Sequence, residues 1–499
     1  MEIVERFVLE QLAAWEVPGC AVAAVGDGRI RLAAGWGQRD LATKLPVTSD
    51  TLFAIGSTTK AFTAATVGAV VDDGLLEWER PLRDYVPELR LADPVVTDRL
   101  TVVDLLSHRS GLPRHDLAWL GYPSRSRAEL VRRLRFLPLS RDLRQEFQYC
   151  NLGYLLAGHA VEVLCGTSWE DYLRTRLLTP LEMGRSNLSA DDMTADADHA
   201  AAYERRQGVV VPVPQRPVTA LAPAGALNSC ASDMARWLLA QLGGGQVDGR
   251  VVMSPDTVAR QHAPHIVLPE DRTFPASTRH AYGLGWKIGR YRDHRLAEHG
   301  GGIDGFQTEC MLLPDDGIGV AVLTNTSSSA MAPVVAYRVL DELLRLEPLD
   351  WFSPFKAAST RPWAGCARPA ARATSSRAPR CPGRWTPTPA TTSTPATAPS
   401  RSPTKQAPFG RVWARWISAW RIATTRRSTW NGTSLATSPI CSRSCSFLTP
   451  TATSPPSPSR SSHPSKRCGL TGCPTPKAGT PRSCAACAAP TSWVPSRSW

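Results

Sequence analysis

Three short motifs in this sequence carry side chains that could together perform acyl transfer. The first is S-T-T-K, in which Ser57 and Lys60 are three residues apart and would share one face of a helix. A desolvated, neutral Lys60 could accept the hydroxyl proton while Ser57 Oγ attacks a carbonyl carbon. The motif alone is weak evidence, because residues 353–356 and 402–405 also match it and a serine in such a position is often only a helix N-cap.

The second motif, Tyr149-Cys150-Asn151, is the only Y-x-N in the chain. The phenol oxygen of Tyr149 could relay a proton between a nucleophile and a leaving group, and Asn151 could orient the lysine or a substrate amide. A buried tyrosine is more often a core residue whose hydroxyl has a single partner. This motif therefore gains weight only in combination with the others.

The third motif is a histidine followed by three glycines, His299, Gly300, Gly301 and Gly302, ahead of a predicted strand. Successive glycines let a backbone approach a ligand closely, so all three glycines are candidate substrate-binding residues. An edge strand at this point could supply one N–H group to an oxyanion hole. The alternative is a glycine-rich turn with a solvent-exposed histidine.

The hydrophobic pattern predicts a mixed fold in which strands from both ends of the domain build one sheet. A short extended segment at 51–55 leads into a helical pattern at 57–72, so Ser57 lies where an extended chain becomes a helix. The other predicted helices span 4–15, 101–106, 153–163, 231–242 and 334–346. The predicted strands span 20–25, 30–34, 283–288, 309–313 and 317–323.

In this order, the three motifs resemble the catalytic trio of the serine β-lactamase-like and penicillin-binding-protein-like hydrolases. The resemblance runs from about Phe7 to Ala330 and includes segments 101–113, 223–227 and 282–286. It implies an α+β fold of the β-lactamase/D,D-peptidase type, with an antiparallel sheet flanked by helices and a helical subdomain. Within 101–113, Asp104 and His108 resemble structural rather than catalytic groups of the family.

The resemblance also implies a role for each residue of the motifs. Ser57 would be the nucleophile that accepts the acyl group, Lys60 its base, Tyr149 the proton relay and Asn151 a hydrogen-bonding positioner. The backbone N–H groups of Ser57 and Gly302 would form the oxyanion hole. No metal or other cofactor is expected in such a site.

Two positions depart from the family pattern. His299 stands where many members carry lysine, and a neutral imidazole is the favoured form near pH 7. A permanent cation for the carboxylate of a β-lactam or peptide is therefore missing, and His299 is retained as a catalytic candidate. Cys150 replaces the commoner serine, which is a small change. We expect a serine hydrolase acting on a small ester, amide or peptide; the alternatives are a true β-lactamase or D,D-peptidase, and a non-catalytic ligand-binding protein.

The charge of the chain is divided unevenly along its length. Residues 352–499 hold 21 Lys and Arg and no Asp or Glu, so the formal charge of +13 divides into −8 before this segment and +21 within it. A strongly basic protein suggests a nucleic-acid or anionic-membrane partner, but the part that carries the motifs is mildly acidic. We predict no nucleic-acid partner, and the oligomeric state is left open.

Segments that would direct the chain to or across a membrane are not apparent in the sequence. The first residues, Met1-Glu2-Ile3-Val4-Glu5, lack the basic stretch of a signal peptide, and no apolar run approaches the length of about 18 residues that a membrane span needs. Five cysteines precede residue 352, none in a C-x-x-C pair, which indicates reduced thiols. We therefore expect a cytoplasmic protein.

Residues 1–350 are predicted to form the hydrolase domain, and residues 351–499 a basic, Pro-, Ser- and Thr-rich segment without a stable fold. Tryptophans at 413–420 would allow binding of single-stranded nucleic acid, and cysteines at 468–487 a zinc site. The favoured interpretation is that this segment is encoded out of frame. In another frame, permissible codons for Ser, Cys and Trp give aliphatic residues and those for Thr give Asp. The resemblance implies what such a frame would restore, since many members carry a small β-rich domain after the hydrolase.

Overall fold

The computed structural model describes residues 2–115, 126–269, 274–327 and 329–360. The interpretation of the segment beyond 360 as an unfolded or out-of-frame tail lies outside the described residues. The strands are β1 (Gly19–Gly26), β2 (Arg29–Gly37), β3 (Phe53–Ala54), β4 (Tyr203–Arg206), β5 (Val209–Pro212), β6 (Asn228–Ser229), β7 (Gln246–Val247), β8 (Arg250–Val251), β9 (Ile266–Val267), β10 (Ser277–Tyr282), β11 (Lys287–Tyr291), β12 (His294–Ile303), β13 (Phe306–Leu313) and β14 (Ile318–Thr324).

Eight of these strands form the main sheet, the other six form two-stranded pairs, and helices cover both faces of the main sheet. Among the described residues they are α1 (Glu2–Trp15), α2 (Thr59–Asp72), α3 (Pro94–Arg99), α4 (Val102–Leu106), α5 (Arg127–Arg133), α6 (Asn151–Cys165), α7 (Trp169–Leu173), α8 (Ala190–Ala195), α9 (Ala222–Gly225), α10 (Ala231–Leu242), α11 (Pro255–Gln261), α12 (Met331–Leu344) and α13 (Phe352–Thr360). None of the described helices has the length and apolar character needed to cross a membrane.

The main sheet has eight antiparallel strands in the order β2-β1-β14-β13-β12-β11-β10-β9. The N-terminal hairpin joins the C-terminal strands through β1 and β14, with Val22 opposite Val322. All residues of β1 and β14 are buried, as expected for central strands covered on both faces. The α+β architecture predicted from the sequence is confirmed, including the sheet built from both chain ends.

Two hydrophobic cores lie on opposite faces of the sheet. The inner core packs the sheet against the helical subdomain, in which α2 is buried on nearly all sides. The outer core packs the sheet against α1 and α12. The chain continues past the predicted boundary at 350 into α13, where Trp351 stacks on Tyr337 with ring centroids 4.1 Å apart and Lys356 Nζ donates to Ala14 O at 3.0 Å.

The prediction of a strand at 283–288 is wrong over most of its length. Residues 283–286 form the turn between β10 and β11, closed by a hydrogen bond from Gly283 N to Trp286 O of 2.7 Å. Leu284 and Trp286 are fully buried, so the apolar pattern marks a turn packed into the core. Gly285 has a φ of +82° and a Cβ there would lie 2.8 Å from Ala61 Cα, a conformation and an approach that favour glycine.

Candidate active site

Ser57 lies at the junction between an extended segment and a buried helix. The chain leaves β3, passes through a 3₁₀ turn at Gly56–Thr58 and enters α2. Gly56 has a φ of +52°, a left-handed conformation that glycine adopts without strain. Thr58 N donates to Ile55 O at 3.2 Å, and Thr59 N donates to the carbonyl oxygens of Gly56 and Ser57. The N–H of Ser57 itself is the group of this turn that could stabilise a developing anion.

Lys60 lies one helical turn after Ser57 and is fully buried. Its Nζ donates to Ser57 Oγ at 3.0 Å and to the carbonyl oxygen of Ala224 at 2.7 Å. The same Nζ lies 4.8 Å from the ring centroid of Tyr149 and 5.4 Å from that of Tyr154. The amine is thus directed at the serine by neutral hydrogen-bond acceptors and aromatic faces.

Tyr149 completes the group around the serine oxygen, because its hydroxyl donates to Ser57 Oγ at 2.8 Å. The backbone that carries it is fixed by His108, whose Nδ1 accepts a 3.0 Å hydrogen bond from Cys150 N. The His108 ring also lies 4.4 Å from the Tyr149 ring. Burial, reinforced by the charge of Lys60, holds the pKa of His108 well below its usual value, so His108 is a neutral packing and hydrogen-bonding group.

Asp104 and Asn151 lie on different sides of this group. Asp104 caps α4 through Thr101 and forms buried ion pairs with Arg109 and Arg144, with Nε to Oδ1 distances of 2.7 and 2.8 Å. Asn151 is the first residue of α6 and lines the cleft beside Ser57. The structure therefore places Asn151 near the nucleophile and gives Asp104 a structural position.

The glycine run of the third motif lies within strand β12 rather than in a turn. On one side β12 pairs with β13 from Ala297 to Ile303, whereas its pairing with β11 on the other side ends at Glu298. The half from His299 to Ile303 instead faces the 3₁₀ turn of Ser57. Thr58 Oγ1 lies 3.3 Å from His299 O, and Thr308 Oγ1 donates to Ile55 O at 3.0 Å.

The strand register directs the N–H of Gly302 toward Ser57. A two-residue turn at Asp304-Gly305, with φ values of 29° and 84°, closes the β12–β13 hairpin at Ile303 and Phe306. Pairs alternate in an antiparallel ladder, so the N–H of Gly302 points away from β13. A Cβ built on Gly56 would lie 2.9 Å from Gly302 N, which shows how closely the two backbones approach.

His299 is part of β12, but it does not belong to the lining of the cleft. Its Nδ1 lies 2.7 Å from Gly300 O and its Nε2 lies 2.9 Å from Tyr282 OH. The carbonyl can only accept, so Nδ1 carries the proton and Nε2 accepts from the tyrosine. Burial, together with the charges of Lys287 and Lys60, holds the pKa of His299 well below its usual value, so the imidazole is neutral at pH 7.

The cleft in front of Ser57 has a volume of about 380 Å³, a size suited to a small organic substrate. Its lining combines the predicted residues with side chains that the motifs did not indicate. The lining residues are Gly56, Ser57, Asn151, Arg216, Val218, Leu221, Ala224, Gly225, Gly302, Ile303 and Asp304. Gly300 and Gly301 lie beside this lining, against Glu309 and Ile55 respectively.

Sequence reasoning missed several groups of the site. Ala224 belongs to a segment that resembles the family, but its carbonyl contact with Lys60 has no signal in the sequence. Tyr282 likewise belongs to such a segment, and only the fold shows that it holds His299. Arg216 and Asp304 lie 88 residues apart and belong to no motif, so nothing in the sequence connects them.

The arrangement can perform nucleophilic chemistry at a carbonyl without further groups. One hydroxyl lies within hydrogen-bonding distance of two proton carriers, Lys60 and Tyr149, and beside two backbone N–H groups that could stabilise an oxyanion. In the described part of the chain, no three His, Cys, Asp or Glu side chains are grouped so that they could hold a metal ion.

Comparison with known proteins places this geometry in a family. The Beta-lactamase family model matches residues 4–344. Unguisins hydrolase ungD′ of Aspergillus campestris is 34% identical over 361 residues, which are 69% of this chain and 66% of that protein. Penicillin-binding protein 4 of Amycolatopsis lactamdurans is 29% identical over 350 residues, covering 68% of this chain and 89% of that protein.

The fold comparison agrees. The octameric penicillin-binding protein homologue from Pyrococcus abyssi superposes with a TM-score of 0.61 and 27% sequence identity, covering 70% of this chain and 78% of that chain. The chain spans just under two thirds of the length of the unguisins hydrolase, 66%. Because the family model covers well over half of the sequence, the chain belongs to the Beta-lactamase family.

Proposed function

We propose that the protein is a serine hydrolase that cleaves an ester or amide through an acyl-enzyme on Ser57. The observation that carries this proposal is the pair of hydrogen bonds to Ser57 Oγ, from Lys60 Nζ at 3.0 Å and from Tyr149 OH at 2.8 Å, in the wall of a cleft. A serine that served only as a helix N-cap would direct its hydroxyl to a backbone N–H. The observed partners are proton carriers instead.

The reaction follows from the positions of these groups. Ser57 Oγ attacks the substrate carbonyl and its proton passes to Lys60, while the N–H groups of Ser57 and Gly302 stabilise the oxyanion. Tyr149 then delivers its hydroxyl proton to the leaving alcohol or amine as the carbonyl–leaving-group bond breaks, and Lys60 passes the proton taken from Ser57 to Tyr149, so that both groups return to their initial state. A water molecule attacks the acyl-enzyme, gives a proton back toward Ser57 and releases the acid.

His299 is assigned a positioning role in this scheme. Its two ring nitrogens are engaged by Gly300 O and Tyr282 OH, contacts that suit a residue holding the strand of Gly302 in place. His299 as a catalytic group remains a prediction. Asn151, which lines the cleft, is assigned to substrate binding.

A small ester, amide or peptide is the substrate class that the cleft supports. The neutral His299 occupies the position where a cation would bind the carboxylate of a β-lactam, which lowers the expectation of lactamase activity. The similarity to unguisins hydrolase supports hydrolysis as the reaction. The similarity to penicillin-binding protein 4 keeps true β-lactamase or D,D-peptidase activity as the second candidate.

Labelling with a fluorophosphonate probe tests the nucleophile. The wild-type protein should gain one adduct by intact mass, and Ser57→Ala should gain none. Ser353→Ala is a matched control, because Ser353 and Lys356 form the same S-x-x-K pattern on α13. Undiminished labelling of Ser57→Ala would rule out Ser57 as the nucleophile.

Turnover of a short-chain chromogenic ester beside a chromogenic cephalosporin then separates the two candidate activities. We expect the ester to be hydrolysed much faster than the cephalosporin. Preferential cleavage of the cephalosporin would favour the lactamase. Failure to hydrolyse any ester, amide or peptide, with no adduct at Ser57, would indicate a ligand-binding protein that has kept the fold.

A further inference from the structure

Two charged side chains line the cleft in front of Ser57, apart from the motifs that carry the proposed reaction. Among the described residues that line the cleft, Arg216 and Asp304 are the charged ones. Asp304 belongs to the turn that follows the oxyanion strand, and Arg216 belongs to the loop between β5 and α9. The two residues therefore join the loop to the β12–β13 hairpin across one end of the cleft.

Asp304 fixes the guanidinium of Arg216 in one orientation. Its Oδ2 accepts from the backbone N of Arg216 at 2.9 Å, and its Oδ1 accepts from Nε at 2.9 Å and also from Nη2. Three donors of one residue thus converge on one carboxylate. Such a fork loses little additional conformational freedom when it binds a second group.

The two side chains of the ion pair differ in their exposure. The Asp304 side chain is only 4% exposed, whereas the Arg216 side chain is 46% exposed. The negative end of the pair is buried and the positive end reaches the space that a substrate would occupy. The neutral His299 does not supply a cation to this cleft, so the positive charge of its lining comes from Arg216.

We propose that Arg216 is a specificity-determining residue that binds a carboxylate of the substrate, with Asp304 as the residue that positions it. The preferred substrates are then esters or amides that carry a free carboxylate on the acyl or the leaving part. This inference rests on the proposed hydrolase function and deepens it. It assigns carboxylate recognition to a guanidinium on the loop, because the imidazole at position 299 cannot provide it.

The guanidinium suits this task because it is permanently charged and presents parallel N–H donors that match the two oxygens of a carboxylate. The partial exposure of Arg216 matters as well. A half-exposed guanidinium is easily reached by a ligand, and part of its hydration is lost only when the ligand closes the cleft. Recognition would therefore discriminate between substrates that differ in charge and have the same shape.

Matched chromogenic esters test the inference. One pair carries the group on the acyl part, para-nitrophenyl monoterephthalate and the corresponding terephthalamate; a second pair carries carboxylate or carboxamide on a phenolic leaving group. The readout is the ratio of kcat/KM for the carboxylate over the carboxamide. In at least one pair, the wild-type enzyme should favour the carboxylate by about tenfold or more, because a charge-assisted hydrogen bond to Arg216 is made by the carboxylate and lost with the carboxamide.

Single-residue variants then show which side chain is responsible for this ratio. Arg216→Gln should bring the ratio close to one, and Arg216→Lys, which keeps the charge but not the fork, should retain part of it. Arg295→Gln is the matched control, because Arg295 has the same 46% exposure and a carboxylate partner, Asp315, at the other end of β12. Because both substrates of a pair meet the same enzyme, a change in the amount of folded protein cancels from the ratio.

The outcomes separate this inference from the function on which it rests. Hydrolysis of both members without a preference in either pair, or a preference that survives in Arg216→Gln, overturns the role of Arg216 and leaves the hydrolase intact. A preference that falls equally in Arg295→Gln also overturns it, because a general charge effect would then be responsible. Hydrolysis of neither member by the wild-type protein, with no adduct at Ser57, overturns the hydrolase and the inference together.

Discussion

Two long basic side chains, Arg279 and Lys60, lie largely or fully inside the protein, and their surroundings differ in one respect. Arg279, on β10, is gripped by Glu298 through Nε and Nη2 at 2.7 and 2.6 Å and also contacts Tyr337 OH. Lys60, on α2, donates to a hydroxyl and a carbonyl and lies beside the rings of two tyrosines. Arg279 is thus paired with a carboxylate, whereas the Lys60 amine donates to two neutral oxygens.

The difference shows how the surroundings of a basic side chain suit it either to a structural role or to a reaction. Coulombic attraction and hydrogen bonds from Glu298 outweigh desolvation and raise the pKa of Arg279, so this charge is permanent. Burial disfavours the charged form of a lysine, and neutral acceptors offset this less than a carboxylate would, so such an amine is better suited to accept the proton of Ser57. The first arrangement stabilises the fold, and the second can take part in a reaction.

Replacing Lys60 should have the largest effect on the rate of hydrolysis. Lys60→Met keeps the length and packing of the side chain and removes the group that accepts the serine proton. We expect kcat/KM for a chromogenic ester to fall by about 10⁴-fold, the upper range for loss of a general base. Circular dichroism should show a folded protein. An activity above one tenth of wild type would contradict the role of Lys60.

Replacing the structural cation should have the largest effect on stability. Arg279→Met leaves Glu298, whose side chain is 3% exposed, without its main partner, and we expect a loss of about 3–5 kcal/mol in the free energy of unfolding. Urea denaturation measures it. The double variant Arg279→Met/Glu298→Met is the matched control and should recover most of the loss. Equal stability of the single and double variants would refute this interpretation of the pair.

The two tyrosines that accompany the cations allow a finer comparison. Tyr149→Phe removes a hydroxyl 2.8 Å from Ser57 Oγ and should lower kcat/KM by about 100-fold, as expected for loss of a proton relay. Tyr337→Phe removes a hydrogen bond of 2.7 Å with Ser277 and another from Arg279, and it should cost about 1–3 kcal/mol of stability at an unchanged rate. Steady-state kinetics and urea titration of both variants would show whether the two effects separate in this way.

His262 is a third buried basic group, and burial keeps its imidazole uncharged. Burial lowers the pKa of His262 to about 3, so between pH 6.5 and 5 the unfolded chain binds a proton there that the folded protein does not. Stability should therefore fall as the pH falls, by about 2 kcal/mol at pH 5 from this residue.

His262→Phe tests this smallest effect, because it keeps a ring against Trp286 and removes the titrating group. We expect the loss of unfolding free energy between pH 7 and pH 5 to be smaller in the variant than in the wild type. His108 and His299 contribute with the same sign in both proteins and cancel from the difference. An identical pH dependence of the two proteins would show that His262 takes up its proton in the folded state.

Local patterns were enough to predict most of the fold. The helix predicted at 231–242 coincides with α10, and the hairpin predicted at 20–34 corresponds to β1 and β2, because periodicity and turn chemistry act over a few residues. The motifs likewise predicted the group around Ser57, since Lys60 is one helical turn away. The positions of Tyr149 and Gly302 followed only from the family resemblance.

The remainder depends on contacts between distant segments. The strand predicted at 283–288 is a turn because the approach to α2 requires Gly285 in a left-handed conformation, which an apolar pattern does not report. The ion pair of Arg216 and Asp304 joins a loop to a hairpin tip. Arginine and aspartate are common in any sequence, so neither residue stands out before the fold brings them together.

The close fit between Gly56 and β12 has a consequence for altering this protein. A Cβ on Gly301 would collide with the carbonyl oxygen of Ile55, and a Cβ on Gly56 would crowd Gly302. The same Cβ on Gly301 would lie 2.5 Å from Thr308 Oγ1, which is held by its hydrogen bond to Ile55 O. A mutant library should therefore leave positions 56 and 301 as glycine and vary the loop at 216–221. New selectivity can arise there, where variation does not disturb the machinery that breaks the bond.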